Sequence, residues 1–389
     1  MRVRARIPTV EPAILQEPSI CPYEGCQGQF FKPHQLQCEK PLRDTQLDQV
    51  TTKRLKCLTC QRTFRVYPQG VSQAQQSDRL KALSILFYIL GISYRGVKDV
   101  LEALGFILHH TTIYRNVQGA GEQVEAMRRT WLQQWQGKIA VVGADLTYLR
   151  CSGEQIAIAV AVDGESGVML DIEILDNEEA ETLEAWLQPV LTLVGAEVLT
   201  TDDQDAFKSV ADAAGVGHQI CRRHVTSNVL DFVAQAAEKV WRQPPPVPEG
   251  LPVTPTQFLE DLETLEWIML GHPGNGEQLL AALYDRYAAA PAPKKGKRAT
   301  LWYRMRNHVL RLWNHWRRYT CYRNSLADDR FTVEETNNGT ERVIGWTIKE
   351  RYRTMRGYKS KDSVRHVSML TAWLREEPNG RDMSPLFAS

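Results

Sequence analysis

Two aspartates of this 389-residue chain follow apolar segments in the same way. Asp145 comes after KIAVVGA and Asp202 after AEVLTT, 57 residues further along. A buried carboxylate is costly unless something pairs with it, and a strand-end turn or a helix N-cap is the ordinary structural use of a single Asp. If both segments are neighbouring parallel strands, both acids leave the same edge of one sheet. The two carboxylates would then be close enough to act together as metal ligands.

Such a pair could hold divalent metal if a third acid joined it. Two ions about 4 Å apart suit phosphodiester chemistry, because one lowers the pKa of an attacking water or 3′ hydroxyl and the other stabilises the leaving oxygen. Mg²⁺ or Mn²⁺ prefers such oxygen ligands. A helix across the sheet edge could supply the third acid, and Glu341 in TNNGTER is our candidate. Asp203 remains an alternative second ligand, and Glu334 and Glu335 precede the motif.

Cysteines close to the N-terminus have the spacing of a zinc site. Two Cys pairs, C-x4-C and C-x2-C, are separated by a loop, and a strand follows the second pair in KCLTCQRTFRV. Four thiolates from two tight turns satisfy tetrahedral Zn²⁺ and stabilise a segment poor in apolar residues. The predicted ligands are Cys21, Cys26, Cys57 and Cys60. Reduced surface thiols are the alternative, and Cys38 and His34 leave one exchange of ligands open.

Three short helices are predicted after this segment. Leu80, Leu83, Phe87 and Leu90 recur at helical spacing in the first helix, and GISYRGVKDVLEALG predicts the second. HHTTIYRNVQ predicts a third helix whose N-cap is Thr111 or Thr112. Three short helices separated by such stop and cap residues indicate a helix-turn-helix. The alternative is a small helical bundle whose helices only pack against one another. The third helix would present polar side chains to a major groove. These DNA-binding candidates are Thr112, Tyr114, Arg115 and Asn116.

The spacing of apolar residues changes from that of helices to that of strands after residue 138. Three consecutive strands are predicted over 138–149, 155–163 and 168–175, followed by an acidic helix at 177–194 and a fourth strand at 196–203. A helix at 204–214, a short strand at 218–221 and a helix at 224–240 complete an α/β domain with a mixed sheet. A Pro-rich stretch then leads into residues 256–324, which are helical in composition, and helices return in TVEETNNGTERVIGWTIKERYR and SVRHVSMLTAWL.

The last basic block combines aromatic rings with arginines. Trp302, Trp313 and Trp316 recur at helical spacing, so a core stripe is the expected role for most of the rings. Arginines on the other faces would offer phosphates a positive surface. Arg317 and Arg318 are the predicted DNA contacts of this block.

The charge is uneven along the chain, although the net value is +1. Residues 1–118 carry 16 basic and 9 acidic groups, 141–293 carry 7 and 25, and 294–361 carry 18 and 6. Basic segments on both sides of an acidic one are expected if the two ends bind a polyanion and the middle supplies carboxylates for divalent metal. The alternative is that the acidic segment simply forms a solvent-exposed face.

Length and composition exclude a fibre, a disulfide miniprotein and a disordered chain, and leave room for two or three domains. The start has no apolar stretch long enough for a signal peptide, and no apolar run could span a bilayer. We therefore expect a cytoplasmic protein, associated with the nucleoid and without a membrane partner. In a reducing compartment its eight cysteines are metal ligands or free thiols.

These motifs resemble a known family. GADLTYL, LTTDDQDAF, ICRRHVTSN and TNNGTER together resemble the DDE transposases of bacterial insertion sequences, in the branch related to Mutator-like elements. The resemblance covers roughly residues 20–360. It implies an RNase H-like catalytic domain in which Asp145, Asp202 and Glu341 hold two Mg²⁺ or Mn²⁺ ions. It also matches Cys221 and His224 to the family's Cys-x2-His element. One Cys and one His make only half of a zinc site, so no metal is predicted there; the imidazole is expected to orient the neighbouring backbone or to contact bound DNA, and no chemical role is assigned.

The implied organisation is a zinc-ribbon DNA-binding domain at 1–72, a helix-turn-helix at 73–130, a catalytic domain at 138–242 and 326–375, a helical insertion at 243–325 and a tail at 376–389. The implied activity is binding of terminal inverted repeats, metal-dependent strand cleavage and 3′-OH strand transfer. Joining two ends at one target implies a dimer or higher oligomer on double-stranded DNA. The alternatives are an inactive DNA-binding relative, an RNase H-like nuclease without strand transfer, and a zinc-ribbon transcription factor.

Overall fold

The fold is described by a computed structural model over residues 3–326, 330–355 and 357–387. Two compact units divide the chain. The first contains residues 1–134, 148–158 and 343–389, and the second contains residues 135–147 and 159–342. Three segments of the chain therefore build the first unit and two build the second.

Strands occur in both units. They are β1 (Ala5–Arg6), β2 (Glu11–Leu15), β3 (Phe31–Pro41), β4 (Gln49–Cys57), β5 (Thr63–Val66), β6 (Pro68–Gln69), β7 (Val141–Cys151), β8 (Glu154–Asp163), β9 (Met169–Leu175), β10 (Val198–Thr201), β11 (Gly217–Ile220) and β12 (Arg381–Asp382).

Helices account for most of the remaining ordered chain. They are α1 (Asp78–Ile89), α2 (Tyr94–Ala103), α3 (His110–Gln134), α4 (Ala180–Val194), α5 (Asp205–Ala214), α6 (Arg222–Arg242), α7 (Pro255–Gly271), α8 (Gly276–Tyr287), α9 (Leu301–Tyr319), α10 (Tyr322–Leu326), α11 (Asn338–Ile344), α12 (Glu350–Arg353) and α13 (Lys361–Arg375). A π-helical turn, Gly345–Lys349, joins α11 to α12, and a 3₁₀ turn, Ser384–Phe387, follows β12.

The first unit begins with small sheets. β3, β4 and β5 form a three-stranded antiparallel sheet, β2 pairs with β6, and β1 pairs in parallel with β12. Only a few apolar side chains are buried here, with Leu55, Phe64 and Val66 packed beside the cysteines. So small a core needs another source of stability.

Three helices follow in the first unit, as the sequence predicts. Ser77 caps α1 by accepting a hydrogen bond from the Leu80 N–H, and Ser93 caps α2 in the same way. α3 begins at His110, slightly before the predicted start, and runs for 25 residues. It packs against α13 so closely at Gly121 that a β-carbon there would overlap His366. This close approach explains a glycine inside a long helix.

A five-stranded mixed sheet organises the second unit. Its strand order is β9-β8-β7-β10-β11, in which β10 lies parallel to both β7 and β11. Short connections join β7 to β8 and β8 to β9, so these strands form antiparallel hairpins. The outer ends of β7 and β8 belong to the first unit. The mixed α/β fold predicted from the apolar runs is confirmed.

Helices α6 to α9 share one apolar core. Trp302, Met305, Val309 and Trp316 are buried in it and Trp313 is partly buried, so the aromatic spacing of α9 is a core stripe as predicted. The chain returns to the sheet through Gln219. Its Oε1 accepts a hydrogen bond from the Tyr322 N–H at 2.8 Å, and its Nε2 donates to the Ile220 carbonyl at 2.7 Å.

No helix in the described part of the chain is long and apolar enough to cross a membrane.

Candidate functional site

The two aspartates lie at the same level of neighbouring strands. β10 pairs with β7 so that Thr200 lies opposite Gly143, and the same offset continued by two positions sets Asp202 opposite Asp145. The predicted parallel neighbourhood is thus confirmed. β7 runs on to Cys151, so Asp145 lies within its strand and not at the strand's end, because the hairpin with β8 extends beyond the point where β10 stops. Both side chains are partly buried.

Glu341 lies in the first turn of α11, which rests on β7. Nδ2 of Asn337, the residue before the helix, donates a hydrogen bond to the Ala144 carbonyl at 3.0 Å. Thr340 fills the space above Gly143, where a β-carbon would overlap its hydroxyl oxygen. Both Asn337 and Thr340 are buried. These two contacts fix the start of α11 against the strand that carries Asp145.

Asp202 and Asp203 have different surroundings. Asp203 pairs with Lys208 at 2.8 Å and with Arg311 at 3.0 Å. Asp202 accepts a hydrogen bond from the Gln204 N–H at 3.2 Å. Burial raises the pKa of Asp202 above its ordinary value, although the Gln204 N–H and the nearby His224 act in the opposite direction. Of the two carboxylates, Asp203 is therefore the one already neutralised by cations.

A chain of hydrogen bonds supports the backbone at Asp202. Arg318 donates to Nδ1 of His218 at 2.9 Å, Nε2 of that ring contacts the Thr201 hydroxyl at 2.8 Å, and the hydroxyl donates to the Asp202 carbonyl at 2.7 Å. Because Arg has only donors, the ring must accept at Nδ1 and donate from Nε2. Burial, together with the charges of Arg318 and Lys208, lowers the pKa of His218 to about 3. The ring is thus neutral at pH 7.

Of the glutamates before the motif, Glu335 is paired and Glu334 is exposed. Arg222 contacts Glu335 through its guanidinium at 2.5 Å and through its backbone N–H, which donates to the Glu335 carbonyl at 2.8 Å. This double contact joins the first residue of α6 to the segment that enters α11.

Cys221 and His224 lie beside Glu341. One ligand atom from each of the three residues lies within 4.8 Å of the others. Nε2 of His224 is 3.5 Å from Oε1 of Glu341, and Cys221 is fully buried. The Cys-x2-His element, for which the sequence offered no role, therefore meets the candidate glutamate, which lies on a different helix.

The four predicted cysteines form a second cluster. Their sulfurs all lie within 4.8 Å of one another, with Cys21 and Cys60 3.7 Å apart and Cys26 and Cys57 3.8 Å apart. A tetrahedral ion with Zn–S bonds of about 2.3 Å holds its sulfurs about 3.8 Å apart. The donor set and its spacing therefore fit Zn²⁺. Cys38 lies outside the cluster and contacts Gln35, and His34 is exposed on β3.

The backbone beside Cys57 favours its thiolate, whereas burial raises the pKa of Cys21 to about 12, and the cluster leaves little space. The N–H groups of Cys60 and Thr59 lower the pKa of Cys57 to about 6, against the effect of burial. Gly28 lies against the Cys57 sulfur, and a β-carbon on that glycine would overlap it. The Gly28 carbonyl accepts a hydrogen bond from the Cys21 N–H at 2.8 Å. The glycine thus brings the two Cys pairs together.

The candidate DNA contacts on α3 differ in their availability. Arg115 and Tyr114 are exposed and Thr112 is partly exposed. Tyr114 also packs edge-on against Tyr94 and lies 3.5 Å from the Ser363 hydroxyl. The Asn116 amide donates to Gln76 at 2.9 Å and to Ser84 at 3.1 Å, within the packing of α3 on α1.

The two arginines at the end of α9 also differ. Arg317 is exposed and lies 3.8 Å from Glu277. Arg318 is bound to both carboxylate oxygens of Asp212 at 2.7 Å in addition to His218. Sequence patterns gave no sign of this use of Arg318, nor of the contacts of Asn337, Thr340 and His218. The Asn-Asn spacing of TNNGTER was the one available signal for Asn337.

Comparisons with known proteins agree with these motifs. Residues 68–244 match the model of the family described as "Transposase, Mutator family". The transposase for insertion sequence element IS257 in transposon Tn4003 of Staphylococcus aureus is 26% identical over 122 residues, which are 31% of this chain and 53% of that protein. The transposase for insertion sequence-like element IS431mec of the same species matches to the same extent. The chain thus spans about half the length of these curated relatives.

Among solved structures, the HTLV-2 integrase catalytic core domain in complex with magnesium, in its trimeric form, aligns at a TM-score of 0.20 with 18% identity, over 35% of this chain and 87% of that chain. Its dimeric form aligns at 0.19 with 17% identity, over 34% and 87%. These scores are too low for the likeness to bear on fold or function. The family match and the curated relatives agree with the resemblance seen in the motifs: the chain is similar to transposases of insertion sequences, and its residues 68–244 match the model of the Mutator transposase family.

Proposed function

We propose that the protein is a DDE transposase that binds the terminal inverted repeats of its element, cleaves a DNA strand with divalent metal and transfers the freed 3′ hydroxyl into target DNA. The observation that carries this proposal is the seat of α11 on β7. Asn337 and Thr340 hold α11, which carries Glu341, against β7, which carries Asp145. Strand β10 lies parallel to β7 and is followed by Asp202. These contacts support a site in which three acids from distant parts of the sequence act together.

Asp145, Asp202 and Glu341 are the proposed ligands of two Mg²⁺ or Mn²⁺ ions. Their oxygens are the hard donors that these cations prefer. When bound, the ions would activate the attacking water or hydroxyl and stabilise the leaving oxygen. The strand order of the sheet, with hairpins on one side of β7 and parallel strands on the other, supports the RNase H-like domain that the family resemblance implies.

Asp202 is favoured over Asp203 as the second ligand. The two cations on Asp203 already satisfy its charge, whereas Asp202 faces none so close. The chain from Arg318 through His218 and Thr201 would position the Asp202 backbone. In this proposal Asp203 and His218 are positioning residues.

The first unit supplies the proposed modules for recognition of element ends. The cysteine cluster in residues 1–72 would hold Zn²⁺ as a ribbon, and α1 to α3 in residues 73–130 would act as a helix-turn-helix. Arg115, Tyr114 and Thr112 are favoured contacts because their side chains reach solvent, whereas the Asn116 amide is engaged by Gln76 and by Ser84 of α1. On α9, exposed Arg317 is favoured over Arg318 for the same reason. Two such chains on DNA would bring two element ends together.

A cleavage and joining assay tests the proposal. Purified protein is incubated with a labelled duplex that carries the element's inverted repeat and with a plasmid target, in Mg²⁺ or in EDTA. We expect metal-dependent nicking at the repeat end followed by a joined product. Glu341→Ala should abolish both steps and leave end binding nearly intact, whereas the exposed Glu334→Ala should retain them. Retained cleavage by Glu341→Ala would overturn the assignment, and cleavage without joining would identify a nuclease.

A further inference from the structure

Three different metal-binding groups meet where α6 begins and α11 passes it. Cys221 lies directly before α6, His224 lies one turn further along the same helix, and Glu341 comes from α11. Their ligand atoms lie within 4.8 Å of one another. The Nε2 to Oε1 separation of 3.5 Å is close to the roughly 3.4 Å expected between N and O ligands of one tetrahedral Zn²⁺.

We propose that Cys221, His224 and Glu341 form a binding site for Zn²⁺, separate from the cysteine cluster. Thiolate and imidazole select Zn²⁺ over Mg²⁺, which prefers oxygen ligands. Three protein ligands leave the fourth position of a tetrahedral ion open. With three protein ligands the site would bind Zn²⁺ in an exchangeable way, whereas the four cysteines fill every position of their ion.

The burial of the three groups supports binding of an ion from solvent. Cys221 is fully buried, while the His224 and Glu341 side chains are 46% and 32% exposed. Oε1 of Glu341 is itself buried and has no hydrogen-bond partner. A buried carboxylate oxygen without a partner is unfavourable, and a bound cation would compensate for it.

This site has a regulatory consequence that rests on the proposed function. Glu341 is shared between the zinc site and the proposed Mg²⁺ set, and one carboxylate cannot serve both ions in the same geometry. Zn²⁺ held by Cys221 and His224 would draw Glu341 away from catalysis. We therefore expect Zn²⁺ to inhibit strand cleavage in competition with Mg²⁺.

The binding test is independent of catalysis. The 389-residue chain without DNA is saturated with Zn²⁺ and dialysed against a weak chelator, and its zinc content is measured by atomic emission. Cys221→Ser should hold one zinc ion fewer per chain than the wild type, and so should His224→Ala, whose site is exposed and whose fold is checked by circular dichroism. Cys321→Ser, a buried cysteine of the same unit outside the cluster, is the matched control and should hold the wild-type number. Equal zinc content in wild type and Cys221→Ser would overturn the site.

The competition test uses the cleavage assay at fixed Mg²⁺ with rising Zn²⁺, and each variant is compared with its own rate in Mg²⁺ alone. Loss of a direct ligand should weaken inhibition by more than the roughly 10- to 100-fold that loss of an outer partner costs. Equal inhibition of wild type and His224→Ala would overturn the competition. Absence of cleavage in every protein would instead contradict the proposed function and leave the zinc count unaffected, so the two failures are distinguishable.

Discussion

Thr340 occupies the space that a side chain at Gly143 would need. A β-carbon on Gly143 would overlap the Thr340 hydroxyl oxygen and approach Oδ1 of Asn337 to 3.3 Å. The strand of one proposed catalytic acid and the helix of another therefore meet through a residue without a side chain. The geometry of the candidate site depends on this absence.

Gly143→Ala should force α11 away from β7. We expect a loss of about 1–3 kcal/mol in the free energy of unfolding, as for other overpacked sites, and a larger loss of cleavage than of end binding. Gly339→Ala is the matched control, since a β-carbon at that position of α11 meets nothing within 4 Å. Adding Thr340→Ala to Gly143→Ala should restore part of the stability. Denaturant titration of the wild type, Gly143→Ala, Thr340→Ala and the double variant measures this coupling. Additive losses would show that the two residues do not interact.

Asn337→Asp should slow cleavage without preventing folding. The substitution keeps the shape of the side chain but replaces a donor to the Ala144 carbonyl with an acceptor. We expect the maximal rate in Mg²⁺ to fall while the affinity for element ends stays within about threefold, a change of under 1 kcal/mol. Asn338→Asp adds the same charge one residue later and serves as the comparison. Equal rates for both variants would mean that the contact with Ala144 is dispensable.

Asp202→Asn and Asp203→Asn should have different effects. Asp202→Asn removes a proposed metal ligand and should abolish cleavage. Asp203→Asn removes the partly buried anion that Lys208 and Arg311 share and leaves them only the exposed Asp205, so it should cost roughly 1–3 kcal/mol of stability and retain measurable cleavage at low temperature. Thermal melts and single-turnover assays on both proteins separate these outcomes. Full activity of Asp202→Asn would move the ligand assignment to Asp203.

Zinc removal should destabilise the N-terminal sheet. β3 to β5 have a small apolar core, so bound metal would supply much of their stability. Cys57→Ser, or treatment with a strong chelator, should lower the melting temperature and release zinc, whereas Cys38→Ser should do neither. Gly28→Ala should weaken zinc retention as well, because its methyl group would press on the Cys57 sulfur. Unchanged melting of Cys57→Ser would exclude a structural ion.

Stability should decrease in mild acid through His218. Its pKa is about 3 in the folded chain against an ordinary 6.5, so the unfolded state binds a proton first as the pH falls. The contribution is present above pH 6.5 and should amount to a loss of about 2 kcal/mol by pH 5. His218→Gln, although less stable at pH 8, should show a shallower fall between pH 8 and pH 5 in urea titrations. A slope equal to that of the wild type would contradict the neutral ring.

The strands that precede the two aspartates and their parallel alignment could be predicted from the sequence, whereas the side-chain contacts between distant segments could not. The apolar runs before Asp145 and Asp202 predict strands, and the position of the two aspartates at the same level of neighbouring strands follows from the parallel arrangement. The polar strand β3, KPHQLQC, carries no such pattern because most of its side chains are exposed. The contacts of Asn337 with Ala144 and of Arg318 with His218 join residues far apart in the chain, and no local pattern encodes them.

Gln219 clamps the chain where it returns from the helices α7 to α9. Both ends of its amide are engaged, by the Tyr322 N–H and by the Ile220 carbonyl, so the return point is fixed on β11. The ordering cost of a longer connection grows only slowly with its length. The stretch between α6 and Tyr322 can therefore lengthen or shorten in evolution without moving Cys221 or the acids. We expect differences in size among related transposases to be concentrated there.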